Sequence, residues 1–245
     1  MNLVISMQQY FVKEVLHNHQ IVALDEQQSF HIVKVMRMKE NDHIVLADAD
    51  HKVYEAELLS LGTFAEAKVL QQLQRNTEMK MPVTVIMALI KKDKWDFFLM
   101  KATELGAARI VPYKAKRSVV KSDDEKIDKK KQRWMRIVEE AAEQSRRQCV
   151  PEITDPAGIK ELKKYLSDVN LIAYEKESGS GKLLRDVLNQ PQSATIIIGP
   201  EGGFDPGEVD ELLNMGFECI SLGKRILRAE TAACYALSAI DALVE

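Results

Sequence analysis

The alternation of apolar and polar residues divides the chain into two parts. Over the first 70 residues or so, the apolar runs are short and alternate with polar residues, as in half-buried strands. Three strands are predicted, at Asp42–Ala47, Lys52–Leu58 and Phe64–Leu70, with the polar segment 48–51 as a hairpin turn. Apolar residues at helical offsets predict one helix at His31–Arg37. Several short strands at close spacing indicate a small β-barrel.

From Val83 onward, apolar segments of strand length alternate with helical segments. Val83–Leu89 is a continuous apolar run, as in strands buried on both faces of a sheet. This alternation predicts a parallel sheet covered on both sides. The polar stretch Gln71–Lys80, ahead of Pro82, is the predicted linker. The other predicted elements are a helix at Trp95–Leu105 stopped by Gly106, strands at Arg109–Tyr113, Asn170–Tyr174, Thr195–Ile198 and Glu218–Leu222, helices at Ile127–Gln148 and Pro206–Met215, and a C-terminal helix.

The composition is that of a soluble globular protein, with 46% hydrophobic and 29% charged residues among 245. No apolar stretch approaches the roughly 20 residues of a membrane-spanning helix. The N-terminus has no basic region ahead of an apolar segment, so no signal peptide is expected. The three cysteines are odd in number and form no C-x-x-C pair, which argues against a disulfide framework or a zinc ribbon. We therefore expect a cytoplasmic protein.

The net charge of −3 is an average over three unlike segments. Residues 1–80 carry 8 basic and 11 acidic side chains, residues 81–150 carry 17 and 10, and residues 151–245 carry 9 and 16. The middle segment thus has a net charge of +7 in a mildly acidic chain. Such a segment can form one face that attracts a phosphate backbone. A solvated helical surface is the alternative interpretation.

The strongest local motif runs from Ile196 to Pro206. An apolar strand leads into a loop with three glycines, and Asp205, Pro206 and Glu208 have the pattern of an N-cap, a first helical residue and a capping box. Glycine lets the backbone approach a ligand closely or adopt positive φ. In an open α/β sheet, ligands bind beyond the carboxyl ends of the strands, where this loop is expected. A glycine-rich turn without a ligand is the alternative.

A second loop of this kind connects a strand to the C-terminal helix. It begins at Gly223, and the helix after it carries small residues that permit close packing. Arg228 stands at the start of that helix, where the helix dipole opposes a cation. The position of Arg228 therefore indicates that its side chain binds a ligand or forms an ion pair, rather than stabilising the helix.

Other nucleotide and metal motifs are absent or incomplete. Gly179–Leu183 resembles a phosphate-binding loop, but Lys176 and Leu183 stand where the pattern needs glycine and serine or threonine. No G-x-G-x-x-G follows a predicted strand. All five histidines fall in the first 51 residues, so none can serve the α/β part of the same chain as a general base. The pair His17-x-His19 is a weak metal motif, and no metal is predicted.

Basic residues cluster after the predicted strands. Lysines follow the first α/β strand, lysines and an arginine follow the second, and two arginines end the long helix. Clusters at corresponding places in the sheet put positive charge on one edge, as phosphate contacts require. Ordinary loop lysines and a helix C-terminus that favours cations are the alternative. The clusters are Lys91, Lys92 and Lys94; Lys114, Lys116 and Arg117; and Arg146 and Arg147.

The two glycine-containing loops resemble those of the SPOUT methyltransferase superfamily. The resemblance is sharper to the RsmE family of bacterial 16S rRNA uracil-N3 methyltransferases, and its motifs span nearly the whole chain in the family's order. They appear as His31–Arg37, Lys101–Gly106, Glu139–Ser145, Ile198–Phe204 and Leu222–Ala232. One departure is Gln9 ahead of Tyr10-Phe11, where the family commonly has arginine.

The resemblance implies a fold and a reaction. Residues 1–72 would form a PUA-like RNA-binding barrel, and residues 73–245 a SPOUT domain with a parallel sheet and a deep trefoil knot. S-adenosylmethionine would be the cofactor, and N3 of a uridine in the decoding region of the small ribosomal subunit would be methylated by a homodimer. The expected RNA-contacting residues are Tyr10, Phe11, Arg37, Lys91, Lys92, Lys94, Lys116, Arg117, Arg146 and Arg147.

The resemblance also implies the cofactor site. From the chemistry of the reaction, we expect Arg228 to stabilise the anion left when N3 loses its proton, and Glu201 to position or accept that proton. The alternative for Glu201 is that it braces its loop by accepting backbone hydrogen bonds. Two alternatives stay open: another SPOUT enzyme that methylates a ribose hydroxyl or a tRNA base, and a noncatalytic RNA-binding protein. The implied cofactor-binding residues are Gly199, Glu201, Gly202, Leu222, Gly223, Ile226, Leu227, Arg228 and Thr231.

Overall fold

The computed structural model of the chain describes residues 7–118, 127–174, 181–188 and 190–244. It divides into two compact units. The first consists of Met1–Glu78 together with Ala142–Cys149, and the second of Met79–Ala141 together with Val150–Glu245.

The first unit is built on a five-stranded sheet in the order β1-β3-β4-β5-β2. The first strand in this order runs parallel to its neighbour, and the other pairs are antiparallel. Alternate residues such as Ile44, Leu46, Ala56 and Leu58 form its apolar core. The elements are β1 (Gln9–Phe11), β2 (Ile21–Ala23), α1 (Glu26–Phe30), a π-helical turn (His31–Val35), β3 (His43–Ala47), β4 (Val53–Ser60) and β5 (Glu66–Leu73).

The three strands predicted for this unit are confirmed with shifted bounds. The helix predicted at His31–Arg37 is present as the π-helical turn His31–Val35, and the helix α1 that precedes it was not predicted. The third strand extends to Leu73, so the first residues of the predicted linker Gln71–Lys80 belong to the sheet instead. The polar residues Gln71 and Gln72 misled the prediction because this end of the strand is exposed on both faces. Strands β1 and β2 were missed, since three residues are too few to show an alternating pattern.

The second unit contains a six-stranded sheet in the order β11-β9-β10-β6-β7-β8, and every neighbouring pair is parallel. The predicted parallel sheet is thereby confirmed. Its strands are β6 (Val83–Ala88), β7 (Arg109–Tyr113), β8 (Glu152–Ile153), β9 (Val169–Ala173), β10 (Ala194–Ile198) and β11 (Glu218–Ile220). Its helices are α2 (Lys92–Glu104), α3 (Ile127–Gln144), a 3₁₀ helix (Ile159–Tyr165), α4 (Leu184–Val187), α5 (Pro206–Asn214) and α6 (Ala229–Val244).

Both faces of this sheet are covered. Ile196 and Ile198 belong to an apolar cluster with α2, α3 and α6, whereas Ile197 points to a second cluster with the 3₁₀ helix and α5. Successive side chains of a strand point to opposite faces, so a strand with cores on both sides must be apolar throughout. This requirement is the physical reason for the continuous apolar runs in the sequence.

Helix ends follow the local signals where those signals are strong. Asp205 caps α5, Pro206 is its first residue, and Glu208 completes the predicted capping box. The long helix ends at Gln144 rather than at the predicted Gln148, because Arg146 adopts positive φ (59°). The two-residue strand β8, the 3₁₀ helix and the one-turn helix α4 were not predicted.

Gly106 ends α2 in the left-handed conformation that its position predicted, with φ of +88°. A Cβ added there would also meet the side chain of Met79 at 2.6 Å. We expect Gly106→Ala to destabilise the protein by about 1–2 kcal/mol, mostly through backbone strain. Gly158→Ala is the matched control, because Gly158 has an ordinary φ of −83° and 3.6 Å of space to its nearest neighbour. Thermal unfolding should show a lower midpoint for Gly106→Ala only. Equal midpoints for the two variants would contradict the assigned strain.

In the described part of the chain, no helix combines the length and the apolar character that crossing a membrane requires.

The three cysteines are free thiols. Burial raises the pKa of Cys149 to about 11, so this thiol stays protonated at neutral pH.

Candidate active site

A cavity of about 400 Å³ lies at the carboxyl ends of β9, β10 and β11, three neighbouring strands of the parallel sheet. The loop that follows β10 and the segment that follows β11 supply most of its wall. This edge is where ligands bind in open α/β proteins. The two glycine-containing loops predicted from the sequence therefore face one cavity.

Eight of the nine residues predicted for cofactor binding line this cavity. The ninth, Thr231, is exposed on α6 and is not part of the wall. Helical spacing explains this placement, because Ala229 and Ala232, three residues apart, occupy the cavity side of the helix instead. The eight lining residues are Gly199, Glu201, Gly202, Leu222, Gly223, Ile226, Leu227 and Arg228.

Several lining residues were missed from the sequence. Ala173 and Tyr174 stand at the carboxyl end of β9, and Arg225 belongs to the same loop as Arg228. The signal for Tyr174 was present, since the predicted strand Asn170–Tyr174 ends at the edge where ligands bind. Ile226 is one of the residues implied to bind the cofactor, and in the structure it is 83% exposed on the cavity rim.

The backbone of both loops depends on glycine. A Cβ on Gly199 would lie 2.9 Å from the ring of Phe204, which is itself buried and packs edge-on against Tyr174. Gly223 has φ of +109°, a conformation that L-residues rarely adopt. The close approach at Gly199 and the backbone turn at Gly223 therefore shape the cavity wall.

Arg228 reaches this wall from the residue just before α6. Its side chain is exposed, and no described residue forms an ion pair with it. The charge is therefore available to an anion in the cavity. A cation at a helix N-terminus is opposed by the helix dipole, so the fold holds Arg228 at a cost in stability.

Glu201 forms an ion pair with Lys94, with 2.9 Å between Oε1 and Nζ. Burial acts to raise the pKa of Glu201, but the hydrogen bond and charge of Lys94, with the charge of Lys91, outweigh it. The pKa of Glu201 therefore lies below its usual value, and the carboxylate is ionised at neutral pH. An ionised carboxylate with a lowered pKa is a weak base but a good hydrogen-bond acceptor.

Removing the lysine should change the ionisation of Glu201. We expect Lys94→Met to raise the pKa of Glu201, because burial then acts against fewer stabilising charges. The stability contributed by this lowered pKa is present above the unfolded-state pKa and is lost as pH falls through the folded-state pKa. Carboxyl ¹³C NMR titration, with Glu201 assigned from the Glu201→Gln variant, measures the change. Lys92→Met is the control, since Lys92 is an exposed lysine of the same segment, whereas the lysine paired with Glu201 is Lys94. An unmoved titration in Lys94→Met would disprove the coupling.

The other predicted basic residues of this unit lie on neighbouring loops. Lys91 and Lys92 are exposed at the start of α2. Lys116 and Arg117 follow β7 and lie 3.5 Å and 3.4 Å from the carboxylate of Asp205, the cap of α5. The structure thus brings the clusters after β6 and β7 to the edge of the sheet that carries the cavity.

Comparisons with known proteins agree with this architecture. Residues 77–241 match the family model described as an RNA methyltransferase domain, and residues 24–70 match one described as an RNA methyltransferase PUA domain. Over 96% of its length, the chain is 37% identical to ribosomal RNA small subunit methyltransferase E (RsmE) of Bacillus subtilis (strain 168), 96% of which is covered. The chain belongs to the RsmE family.

Solved structures of similar proteins support the same assignment. An RsmE from Neisseria gonorrhoeae, bound to S-adenosyl methionine, superposes with a TM-score of 0.88 at 31% identity, covering 97% of this chain and 98% of that one. A methyltransferase from Legionella pneumophila, in complex with the cofactor SAM, has a TM-score of 0.89 at 30% identity and covers 96% and 97%.

In this RsmE-family chain, Tyr10 is not placed as an RNA contact. Its side chain is 2% exposed, and its hydroxyl lies 2.9 Å from Nδ1 of His31. Burial, with the negative charge of Glu143, raises the pKa of Tyr10, so the phenol stays neutral. The prediction for Tyr10 is corrected to a core residue, whereas Phe11 is half-buried and Arg37 is exposed.

Arg147 is likewise a structural residue rather than a phosphate contact. Its side chain is 3% exposed and bonds to Glu78 at 2.5 Å, and the same carboxylate accepts the backbone N–H groups of Gln148 and Cys149. Burial of this kind requires a partner for the charge, and Glu78 supplies it. The carbonyl of Arg146 accepts hydrogen bonds from Arg75 and Thr77.

Gln9 also has a structural role at the position where the family commonly has arginine. It is buried, its side-chain amide donates to the carbonyl of Arg147 at 2.6 Å, and its oxygen accepts from Arg75.

Within residues 7–118, 127–174, 181–188 and 190–244, no cluster of histidine, cysteine, aspartate and glutamate has the arrangement of a metal site.

Proposed function

We propose that this chain transfers the methyl group of S-adenosylmethionine to N3 of a uridine in 16S rRNA of the small ribosomal subunit. One observation carries the proposal: both glycine-containing loops line a single cavity at the carboxyl edge of the parallel sheet, in a fold shared with two structures solved with the cofactor. A cytoplasmic location follows from a ribosomal substrate.

The residues present fit the cofactor. The cavity volume lies in the range of about 300–1,000 Å³ that small-molecule sites occupy. Leu222 and Leu227 offer apolar cover for an adenine ring, and the loops at Gly199 and Gly223 bring backbone N–H and C=O groups close to it. When bound, the cofactor supplies a methyl group on a positively charged sulfur.

The chain's own residues must handle the proton of uracil N3. That proton has to leave to solvent water, and the nitrogen then carries negative charge that a nearby cation can stabilise until the methyl group is transferred to it. Arg228 is such a cation on the cavity wall. Glu201 has a lowered pKa and is therefore a poor proton acceptor. We assign Glu201 the role of orienting the N3–H group by accepting a hydrogen bond from it.

RNA binding is assigned to the basic residues beside the cavity and to the N-terminal unit. Lys91, Lys92, Lys116 and Arg117 are exposed cations on the loops after β6 and β7, the places where phosphate groups of an RNA can approach. The PUA-like barrel implied by the resemblance is supported by the five-stranded sheet of the first unit and by the matching family model.

The resemblance also implies a deep trefoil knot, and one contact supports it. The backbone N–H of Ser221 donates to the carbonyl of Lys182 at 2.8 Å, and Leu183 pairs with Ser221 as a parallel bridge. The residue that follows β11 therefore lies beside residues 182–183 of the connection between β9 and β10, as expected of a chain that threads through that connection.

Two copies of the chain are expected to associate. Exposed apolar side chains support this, namely Phe97 and Met100 on α2 and Tyr235 and Leu243 on α6, two helices that pack against each other. Sedimentation equilibrium at micromolar concentration should give twice the chain mass of 27.8 kDa. A monomer mass over the whole concentration range would contradict the dimer.

The proposed function is tested by methylation in vitro with isotope-labelled cofactor. The substrates are 16S rRNA and small subunits from a strain that lacks the enzyme, together with bulk tRNA. Mass spectrometry of the digested RNA should identify N3-methyluridine at one position. Ribose 2′-O-methylation or methylated tRNA would support another SPOUT activity instead, and cofactor binding without any methylation would overturn the reaction. RNA with cytidine at the mapped position is the control, because cytidine N3 carries no proton.

A further inference from the structure

A buried carboxylate outside the cavity has more hydrogen bonds than its helix requires. Glu208, in the first turn of α5, is 1% exposed. Its Oε2 accepts the backbone N–H of Asp205 at 3.1 Å, which completes the capping box. Its Oε1 accepts two further bonds, from the hydroxyl of Tyr113 at 2.5 Å and from the backbone N–H of Lys116 at 2.8 Å.

Those two additional bonds connect parts of the chain that are far apart in sequence. Tyr113 is the last residue of β7, and Lys116 belongs to the segment 114–118 that follows, which we call the basic loop. Asp205 ends the segment 199–205, which we call the glycine loop and which borders the cavity. Glu208 therefore links the basic loop to the glycine loop through two oxygen atoms of one carboxylate.

Further contacts hold the same two loops against each other. The carboxylate of Asp205 lies 3.5 Å from Nζ of Lys116 and 3.4 Å from a guanidinium nitrogen of Arg117. A Cβ on Gly202 would stand 3.4 Å from the backbone oxygen of Arg117, so the loops touch at a glycine of the cavity wall. The ion pairs are exposed and weak, whereas the bonds to Glu208 are buried and fix the backbone.

The chemistry of the proposed reaction explains why such a link matters. Methyl transfer requires the attacking nitrogen, the methyl group and the sulfur to be aligned, so much of the catalysis comes from positioning. The cations of the basic loop can hold an RNA phosphate at a defined position only if the backbone of that loop is itself held in position. A buried carboxylate that binds that backbone sets the distance between the phosphate contacts and the cavity.

We infer that Glu208 is a positioning residue that holds the basic loop, with Lys116 and Arg117, in register with the cofactor cavity for binding of the RNA substrate. This inference rests on the proposed function. Glu208 touches neither the cavity nor the exposed surface, so it acts through Tyr113 and Lys116.

The test is the affinity of Glu208→Gln for transcribed 16S rRNA over a range of salt concentrations. We expect the Kd to rise about tenfold, and the slope of log Kd against log salt to fall by about 1–2, because one or two phosphate contacts are lost. The Kd for S-adenosylmethionine, measured by calorimetry, should stay within about twofold. Asp210→Asn, an exposed acid on the same helix, is the control for lost negative charge and should match the wild type.

Two further variants keep the inference falsifiable. Tyr113→Phe removes one hydrogen bond without changing shape and decides the question if Glu208→Gln does not fold. The double variant Lys116→Ala with Arg117→Ala should reduce the salt slope by the same amount as Glu208→Gln does. Adding Glu208→Gln to that double variant should reduce the slope no further.

An unchanged salt slope in a folded Glu208→Gln protein would overturn the inference, as would equal losses of RNA and cofactor affinity. Wild-type protein that binds rRNA but does not methylate it would refute the proposed function alone, since the slope comparison needs no turnover.

Discussion

Replacing Arg228 by alanine should lower the rate of rRNA methylation by about 10²–10³-fold, the usual effect of removing one group that stabilises developing negative charge. Arg228 lines the cavity with an exposed guanidinium, and no described acid pairs with it. The cavity walls that would cover the adenine are left intact, so the affinity for S-adenosylmethionine should change by only a few-fold. Single-turnover methylation and calorimetry measure the two quantities separately.

Two further variants test whether charge is the property that matters. Arg228→Lys keeps the positive charge but loses the planar fork, so it should recover part of the rate. Lys224→Ala removes a positive charge from the same loop at an exposed residue outside the cavity wall, and it should behave like the wild type. Unchanged turnover in Arg228→Ala would remove this residue from catalysis. A large loss of cofactor affinity would make it a binding residue instead.

The parts of the site that could be predicted are those set by local sequence. The apolar run before Gly199 predicts a buried strand, and Asp205, Pro206 and Glu208 predict the start of α5. Parallel strands place their following loops on one edge, so the meeting of the two glycine-containing loops also follows from the pattern. Each of these inferences needs only neighbouring residues and the geometry of a sheet.

The corrected or missed assignments involve long-range contacts. Arg147 has the charge of a phosphate contact, but its partner Glu78 is 69 residues away in sequence and buries it. The additional role of Glu208 depends on Tyr113 and Lys116, which are 95 and 92 residues away. Tyr10 is hidden by the packing of the first sheet. Burial is a property of the folded chain, and a local motif does not contain it.

The second large effect is expected at Gly199, where the cavity wall has no room for a side chain. A methyl group there would meet the ring of Phe204 at 2.9 Å, and Phe204 is packed against the cavity-lining residue Tyr174. We expect Gly199→Ala to displace both rings, to weaken binding of S-adenosylmethionine about tenfold or more, and to destabilise the fold by about 1–3 kcal/mol through overpacking. Calorimetry and thermal unfolding give the two values.

Stability and binding are separated by two companion variants. Gly216→Ala introduces strain at φ of +97°, at a position outside the cavity wall where an added Cβ would meet no neighbouring side chain or backbone within 4 Å, so it should cost about 1 kcal/mol in stability with unchanged cofactor affinity. Gly199→Ala combined with Phe204→Leu restores space beside the new methyl group, so part of the affinity should return. If the double variant binds no better than Gly199→Ala, the wall is not shaped through Phe204. If Gly216→Ala loses affinity equally, the effect at Gly199 reflects general destabilisation rather than the steric contact.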